Sequence, residues 1–218
     1  MGANSGLNLF IETVRYRWPE ILQSLAQHLR LTLIALTLAI LIAVPLGIFL
    51  TRYKRLADSV IGITAVFQTI PSVALLGFLI PFLGIGALPA IVALTIYGLL
   101  PILRNTYTGI MGVDKGAIEA GKGMGMTSKQ ILFMVQIPLS LTIIMAGIRT
   151  ATVLIVGVAT LASLIGAGGL GELIFRGIAT VNTGLILAGA MPAAILAVTF
   201  DYLLKIFEVK LTPRGMRN

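Results

Sequence analysis

Residues 31–50 read LTLIALTLAILIAVPLGIFL, a stretch of 20 residues without a charged side chain. A helix of about 20 apolar residues is long enough to cross the hydrocarbon core of a bilayer. The stretch therefore predicts a transmembrane helix, and similar stretches recur along the rest of the chain.

The composition supports a membrane protein. The chain is 57% hydrophobic and 11% charged, and its mean hydropathy is +1.01, whereas about 25% of the residues of a typical soluble domain are charged. It contains no cysteine and one histidine, His28. This excludes disulfides, thiol catalysis and cysteine-ligated metals, and it leaves no serine–histidine–aspartate set or histidine metal site.

Five spans are predicted in all. Pro138 divides the long apolar run 131–165 into a short helix and a span. The predicted spans are 31–50, 60–83, 88–103, 141–165 and 184–204. Residues 1–30 have apolar side chains at helical spacing and predict an amphipathic helix at the membrane surface, with Tyr16 and Trp18 at headgroup depth.

The basic residues predict the orientation. Most of them fall on one side of the predicted spans, and basic loops face the cytoplasm. That side holds Arg52, Lys54, Arg55, Arg104, Lys115, Lys122, Lys129, Lys205, Lys210, Arg214 and Arg217, whereas the other holds Arg15, Arg17, Arg30 and Arg176. We therefore predict an N-terminus outside, a C-terminus in the cytoplasm, and no nucleic-acid partner for the net charge of +8.

Two glycine motifs imitate nucleotide-binding sequences. Residues 116–122 begin like a P-loop, but Gly123 stands where a magnesium-binding Ser or Thr is required. Residues 166–171 match GxGxxG, yet they follow a membrane span where the dinucleotide fold needs a strand. We predict a flexible hairpin or re-entrant turn there, and no nucleotide cofactor in this chain.

Polar residues within the spans mark a candidate translocation path. Gln68, Thr69, Pro71 and Ser72 lie together in the second span, and helices break in membranes only where protein or water covers the freed backbone. Arg149 lies within the fourth span. It either pairs or snorkels near the cytoplasmic end of its helix or contributes to the path. The scarcity of intramembrane carboxylates disfavours proton- or sodium-coupled transport.

The longest cytoplasmic loop, residues 104–138, has the pattern of a docking element. Helix-forming residues at 117–120 give way to Gly121, Gly123 and Gly125, and Thr127 can cap a second helix. A short helix, a glycine turn and another helix are predicted. Such an exposed helix is suited to a groove on a soluble partner.

The loop resembles the EAA motif of bacterial ABC importer permeases: Glu-Ala-Ala, three residues, Gly, nine residues, Ile-x-Leu-Pro. Glu119, Ala120, Gly125 and Pro138 match it, and Gly121 replaces the second alanine. The resemblance implies that the segment Glu119, Ala120, Gly121, Gly125 and Met126 contacts the ATPase.

The likeness extends over nearly the whole chain. Residues 67–76, 100–110, 144–151 and 159–171 are similar to the OpuC-type permeases for glycine betaine, carnitine and choline. The resemblance implies an all-α, five-span domain of the methionine-importer type in the bacterial inner membrane. It implies two ATP-binding subunits that hold ATP and Mg²⁺, a second permease subunit, and an extracellular substrate-binding lipoprotein.

Alternative functions differ in partner and substrate. A permease for another solute, such as ergothioneine or methionine, would share the docking loop. A stand-alone channel or carrier would need no ATPase. An intramembrane enzyme would need an acid, a base or a metal site, and this chain has no plausible set of residues for one.

Overall fold

A computed structural model describes the backbone of residues 3–211 and the side chains of residues 9–211. All regular structure in that part of the chain is helical. The α-helices are α1 (Ala3–Leu50), α2 (Lys54–Thr69), α3 (Ser72–Leu83), α4 (Ala87–Met111), α5 (Lys115–Gly123), α6 (Ser128–Ile131), α7 (Ile137–Ala159), α8 (Leu170–Ala179) and α9 (Thr183–Leu211). The all-α prediction is confirmed. Residues 1 and 2, Arg214 and Arg217 lie outside the described residues.

Within the described chain, four helices are long and apolar enough to cross a membrane: residues 9–50, α4, residues 128–159 and α9. Helices α2 and α3 meet that test together, although they are bent by 99°. Counted as one crossing, the bent pair brings the number to the predicted five.

Helix α1 runs through the boundary predicted at residue 30. Its 48 residues amount to about 72 Å of helix, more than twice the bilayer core. It kinks at Arg17 (φ −119°, ψ 17°), just before Pro19, which cannot donate a backbone hydrogen bond. The first half of α1 packs through Ile21 against the apolar faces of α8 and α9, and its predicted position at the membrane surface stays a prediction.

The second predicted span, 60–83, is divided into two helices near Pro71. Helix α2 ends at Thr69 and α3 begins at Ser72. Ile70 and Pro71 are extended, with ψ angles of 129° and 133°, because the proline ring disfavours helical geometry in the residue before it. Thr69, Ile70 and Pro71 are called the α2–α3 break below.

Helix α4 continues eight residues beyond the predicted end of the third span, to Met111. The polar side chains of Asn105 and Thr108 are accommodated within the helix. They donate to the carbonyls of residues 101 and 104 one turn earlier, each at 2.8 Å. The connecting loop predicted over 104–138 is therefore limited to residues 112–127, and α5 lies within it.

Pro138 does not interrupt the helix, which continues from residue 128 to residue 159, so the helix of the fourth predicted span begins before residue 141. Helices α6 and α7 are joined by a π-helical turn, Leu132–Gln136, in which the Ile137 N–H donates to the Leu132 carbonyl. This wider turn admits the proline at the start of α7. After Ala159 the chain tightens into a 3₁₀ helix, Leu161–Ile165.

The turn predicted at residues 166–171 leads into a helical hairpin. Gly166, Gly168 and Gly169 have positive φ angles between 74° and 89°, which glycine adopts without strain. Helix α8 then packs against α9. The fifth predicted span, 184–204, lies inside α9.

Helices α1, α4 and α7 form the main core and meet at Gly98. A Cβ at Gly98 would lie 2.8 Å from Ile155 Cδ1 and 3.0 Å from Ala39 Cβ. Small residues allow such close approach between membrane helices.

The bundle has two chemically different ends. At the basic end, Arg52 Nη2 donates to the Ser128 carbonyl at 2.8 Å, which joins the turn after α1 to the start of α6. At the glycine end, the Gly86 N–H donates to the Ile165 carbonyl at 2.8 Å. The placement of the basic end in the cytoplasm stays a prediction from charge.

Candidate functional site: an exposed loop helix and a broken span

Helix α5 is fixed at its start by Asp114. The Asp114 carboxylate accepts a hydrogen bond from the Ala117 N–H at 3.0 Å, the usual arrangement of a helix N-cap. Val113 is buried beside it. The helix therefore has a defined position at the basic end, joined to α4 by only three residues, 112–114.

Gly125 ends α5 through a Schellman motif. The Met126 N–H donates to the Gly121 carbonyl at 3.1 Å, and the Gly125 N–H donates to the Lys122 carbonyl at 2.9 Å. Gly125 has φ +79°, a conformation that side chains with a Cβ rarely adopt. Thr127 then begins α6 with a reciprocal capping box to Gln130. The predicted helix, glycine turn and second helix are confirmed.

The five predicted coupling residues differ in their exposure. Glu119, Ala120 and Gly125 are exposed, Met126 is half-buried, and Gly121 is buried. A Cβ at Gly121 would lie 3.3 Å from Met126 Sδ and 3.4 Å from Ile131 Cγ1. Gly121 thus gives Met126 room to close over the helix, and the exposed residues form the face open to a partner.

Neither glycine motif has nucleotide-binding geometry. Residues 116–122 lie inside α5, not in a loop with its N–H groups turned toward a phosphate. At the other motif, the Gly169 N–H already donates to Gln27 Oε1 at 3.0 Å. A Cβ at Gly168 would collide with the same side-chain amide. These glycines serve close packing on α1.

A second contact ties α1 to the end of α7. His28 is fully buried, and its Nε2–H donates to the Val156 carbonyl at 3.2 Å. That carbonyl lies near the end of α7, where the chain tightens toward the 3₁₀ helix. There the Thr160 N–H donates to the Gly157 carbonyl, three residues earlier. Gln27 and His28 together fix the glycine end to α1, and neither was expected to do so from sequence.

The predicted path residues lie at the α2–α3 break. Thr69 and Pro71 are exposed, whereas Gln68 and Ser72 are half-buried. Gln68 Nε2 donates to the Tyr97 carbonyl at 3.0 Å, and the Tyr97 hydroxyl donates to the Ile70 carbonyl. The sequence analysis did not predict that Tyr97 bonds the break. The signal available there was Pro101 four residues later, which deprives the Tyr97 carbonyl of its helical donor.

Arg149 is not part of this cluster. It lies on α7 and pairs with two acids of α9, whereas the break is bonded to α4. Its Nη1 lies 3.2 Å from Glu208 Oε2, and its other donors bond Asp201. Arg149 and Asp201 border an open groove of about 750 Å³. The sequence allowed Arg149 either to pair or snorkel near the end of its helix or to contribute to the path. The observed ion pairs correspond to pairing.

A family match places the chain in a class of membrane transport subunits. Residues 43–214 match the family described as "Binding-protein-dependent transport system inner membrane component", and the chain belongs to that family.

Similar individual proteins fall in one group. The chain is 53% identical to the Bacillus subtilis glycine betaine/carnitine/choline transport system permease protein OpuCB, over 91% of this chain and 92% of that protein. It is 51% identical to the Listeria monocytogenes carnitine transport permease protein OpuCB, over 98% and 93%. Its fold is similar to an inward-facing MetNI methionine ABC transporter chain, with a TM-score of 0.79, 24% identity, and coverage of 88% and 96%. The predicted methionine-importer fold is confirmed.

Proposed function

We propose that this chain is the membrane permease subunit of an ATP-driven importer for quaternary ammonium osmoprotectants. The observation that carries the proposal is the exposed face of α5. Glu119 and Ala120 are open on a capped helix at the basic end, and they begin the segment that resembles the EAA motif. Family membership and the names of the similar permeases support the same function.

The chain works as part of a larger complex in this proposal. Two ATP-binding subunits dock on the α5 faces of two permease chains, and they alone bind ATP and Mg²⁺. The second permease is a copy or a similar paralogue, and an extracellular lipoprotein delivers the solute. This chain contributes the path and performs no hydrolysis itself.

The mechanism is a change of access driven from the basic end. Closure of the ATPase pair displaces α5, and the short link 112–114 passes that displacement to α4. A ligand shifts a two-state equilibrium only through a difference in its contacts with the two states. The exposed residues of α5 supply that difference, and the α2–α3 break lines the path that changes access.

The substrate class follows from the relatives. Their names give glycine betaine, carnitine and choline, which all carry a quaternary ammonium group. We therefore expect these three solutes to be imported, with selectivity set largely by the binding protein.

Reconstitution tests the proposal. The complex should be isolated through a tag on this chain, its subunits identified, and ATP-dependent uptake of radiolabelled glycine betaine, carnitine and choline measured in proteoliposomes. Methionine and ergothioneine serve as competing solutes. Uptake without an ATPase subunit, or uptake of methionine or ergothioneine alone, would contradict the proposed function.

A further inference from the structure

A proline within α4 and the extended break between α2 and α3 leave two backbone carbonyls without helical donors. Pro101 has no N–H, so the Tyr97 carbonyl one turn earlier in α4 loses its partner. At the end of α2, the Ile70 carbonyl lies in the extended break before Pro71. In a membrane, each such group needs a partner from elsewhere in the protein or from water.

Each carbonyl is satisfied by a side chain from the other helix. Gln68 Nε2, on α2, donates to the Tyr97 carbonyl at 3.0 Å. The Tyr97 hydroxyl, on α4, donates to the Ile70 carbonyl. Tyr97 is only 5% exposed, so water cannot readily replace these bonds. The two segments thus depend on each other for their backbone hydrogen bonding.

Tyr97 also lies on α4, the helix that the loop moves in the proposed function. From Tyr97 to Met111, α4 runs without a break for about 21 Å, and the link 112–114 joins it to α5. On its other side, α4 is packed tightly against α7, since a Cβ at Gly147 would lie 2.7 Å from the Pro101 carbonyl. A shift of α4 therefore reaches Gln68 and Ile70 through two hydrogen bonds.

We propose that Gln68 and Tyr97 are positioning residues for transport, a reciprocal latch that makes the α2–α3 break follow the movement of α4. This inference rests on the proposed function, in which ATP drives α4 through α5. Thr69 and Pro71 are exposed at the break, so a change in its angle changes access to these residues in the path.

Thiol labelling can measure this coupling. The chain contains no cysteine, so Thr69→Cys gives it a single thiol without further changes. The full complex, in nanodiscs, is labelled with a fluorescent maleimide in the nucleotide-free and vanadate-trapped states, and the labelling rate of this chain is compared. Coupling between sites usually amounts to at least about fivefold, and we expect the rates to differ by at least that ratio.

The latch variants are then made in the Thr69→Cys background. Tyr97→Phe removes only the hydroxyl, and Gln68→Leu removes only the amide at similar volume. Each is expected to reduce the ratio of labelling rates to less than about twofold, below the usual range of coupling. Tyr107→Phe is the matched control, because it removes a hydroxyl from α4 that forms no hydrogen bond within residues 9–211.

The outcomes separate the latch from the proposed function. A complex that imports solute with ATP but keeps the parental ratio in both latch variants overturns the latch. The latch is also overturned if the labelling rate of the Thr69→Cys parent is the same in the nucleotide-free and vanadate-trapped states. If Tyr97→Phe fails to assemble, Gln68→Leu alone decides. A parent complex without ATP-driven uptake contradicts the proposed function instead.

Discussion

The guanidinium of Arg149 holds the carboxylate of Asp201 in a two-bond pair, with Nε to Oδ1 at 2.8 Å and Nη2 to Oδ2 at 2.9 Å. Parallel hydrogen bonds of this kind fix geometry as well as charge. Since Glu208 accepts a hydrogen bond from a third donor, Arg149 connects α7 to about the last three turns of α9.

Replacing Arg149 should weaken the packing of α9. Arg149→Met removes the guanidinium that bonds Asp201 and Glu208, and we expect a loss of about 1–2 kcal/mol. This is less than for a fully buried pair, because the Asp201 side chain is 38% exposed. Thermal unfolding in detergent measures the change.

Arg149→Lys is the companion variant, since lysine keeps the charge but cannot form both bonds to Asp201. It should be intermediate in stability and transport with an unchanged KM. A raised KM at native stability would place Arg149 in the translocation path instead.

Gly125→Val should disturb the end of α5. Its φ of +79° costs an ordinary side chain about 1–2 kcal/mol, and a β-branched residue is especially poor there. We expect ATP hydrolysis to continue while uptake per ATP falls, at unchanged membrane insertion. Gly125→Asn is the rescue variant, because asparagine tolerates left-handed geometry. Equal uptake by the valine and asparagine variants would contradict a conformational role for Gly125.

Glu119→Lys should weaken ATPase docking. The side chain is exposed on α5, and reversing a charge at an interface costs enough to lower affinity about tenfold or more. Co-purification of the ATPase measures the loss. The control is Glu172→Lys, an equal charge reversal at an exposed position on α8, near the glycine end. Normal ATPase recovery and uptake in Glu119→Lys would show that the ATPase does not dock through this face of α5.

Gly171→Ala should destabilise the glycine end. A Cβ there would collide with the Thr160 carbonyl and lie 2.7 Å from Ser163 Oγ, and overpacking of this kind costs about 1–3 kcal/mol. Gly157→Ala is the matched control, because a Cβ at Gly157 meets nothing within 4 Å. The two melting temperatures are compared, and equal values would contradict the close packing at Gly171.

Local features of the fold were predictable wherever a few neighbouring residues decide the structure. The charge-free apolar stretches located the spans, because hydrocarbon selects for them directly. The loop helix could be predicted because Gly121, Gly125 and Thr127 act on their own backbone. In each case the residues that determine the structure lie within a few positions of one another.

Features that depend on distant partners were not predictable in the same way. Nothing near residue 30 shows that α1 continues, because its first half is held by α8 and α9. Pro138 appeared to be a break, yet the π-helical turn beside it accommodates the ring. Tyr97 and Gln68 are 29 residues apart, and their reciprocal bonding appears only when α2 and α4 are adjacent.

The contacts of Gln27 and His28 have a consequence for biogenesis. Their partners, Gly169 and Val156, follow 142 and 128 residues later in the chain, so a ribosome makes them long after α1 has emerged. Polar side chains without partners are costly in hydrocarbon. Residues 31–50 can enter the bilayer at once as an ordinary span. The upstream half of α1 can settle only after α7 and the glycine turn have been inserted, so α1 completes its folding late although it is synthesised before these partners.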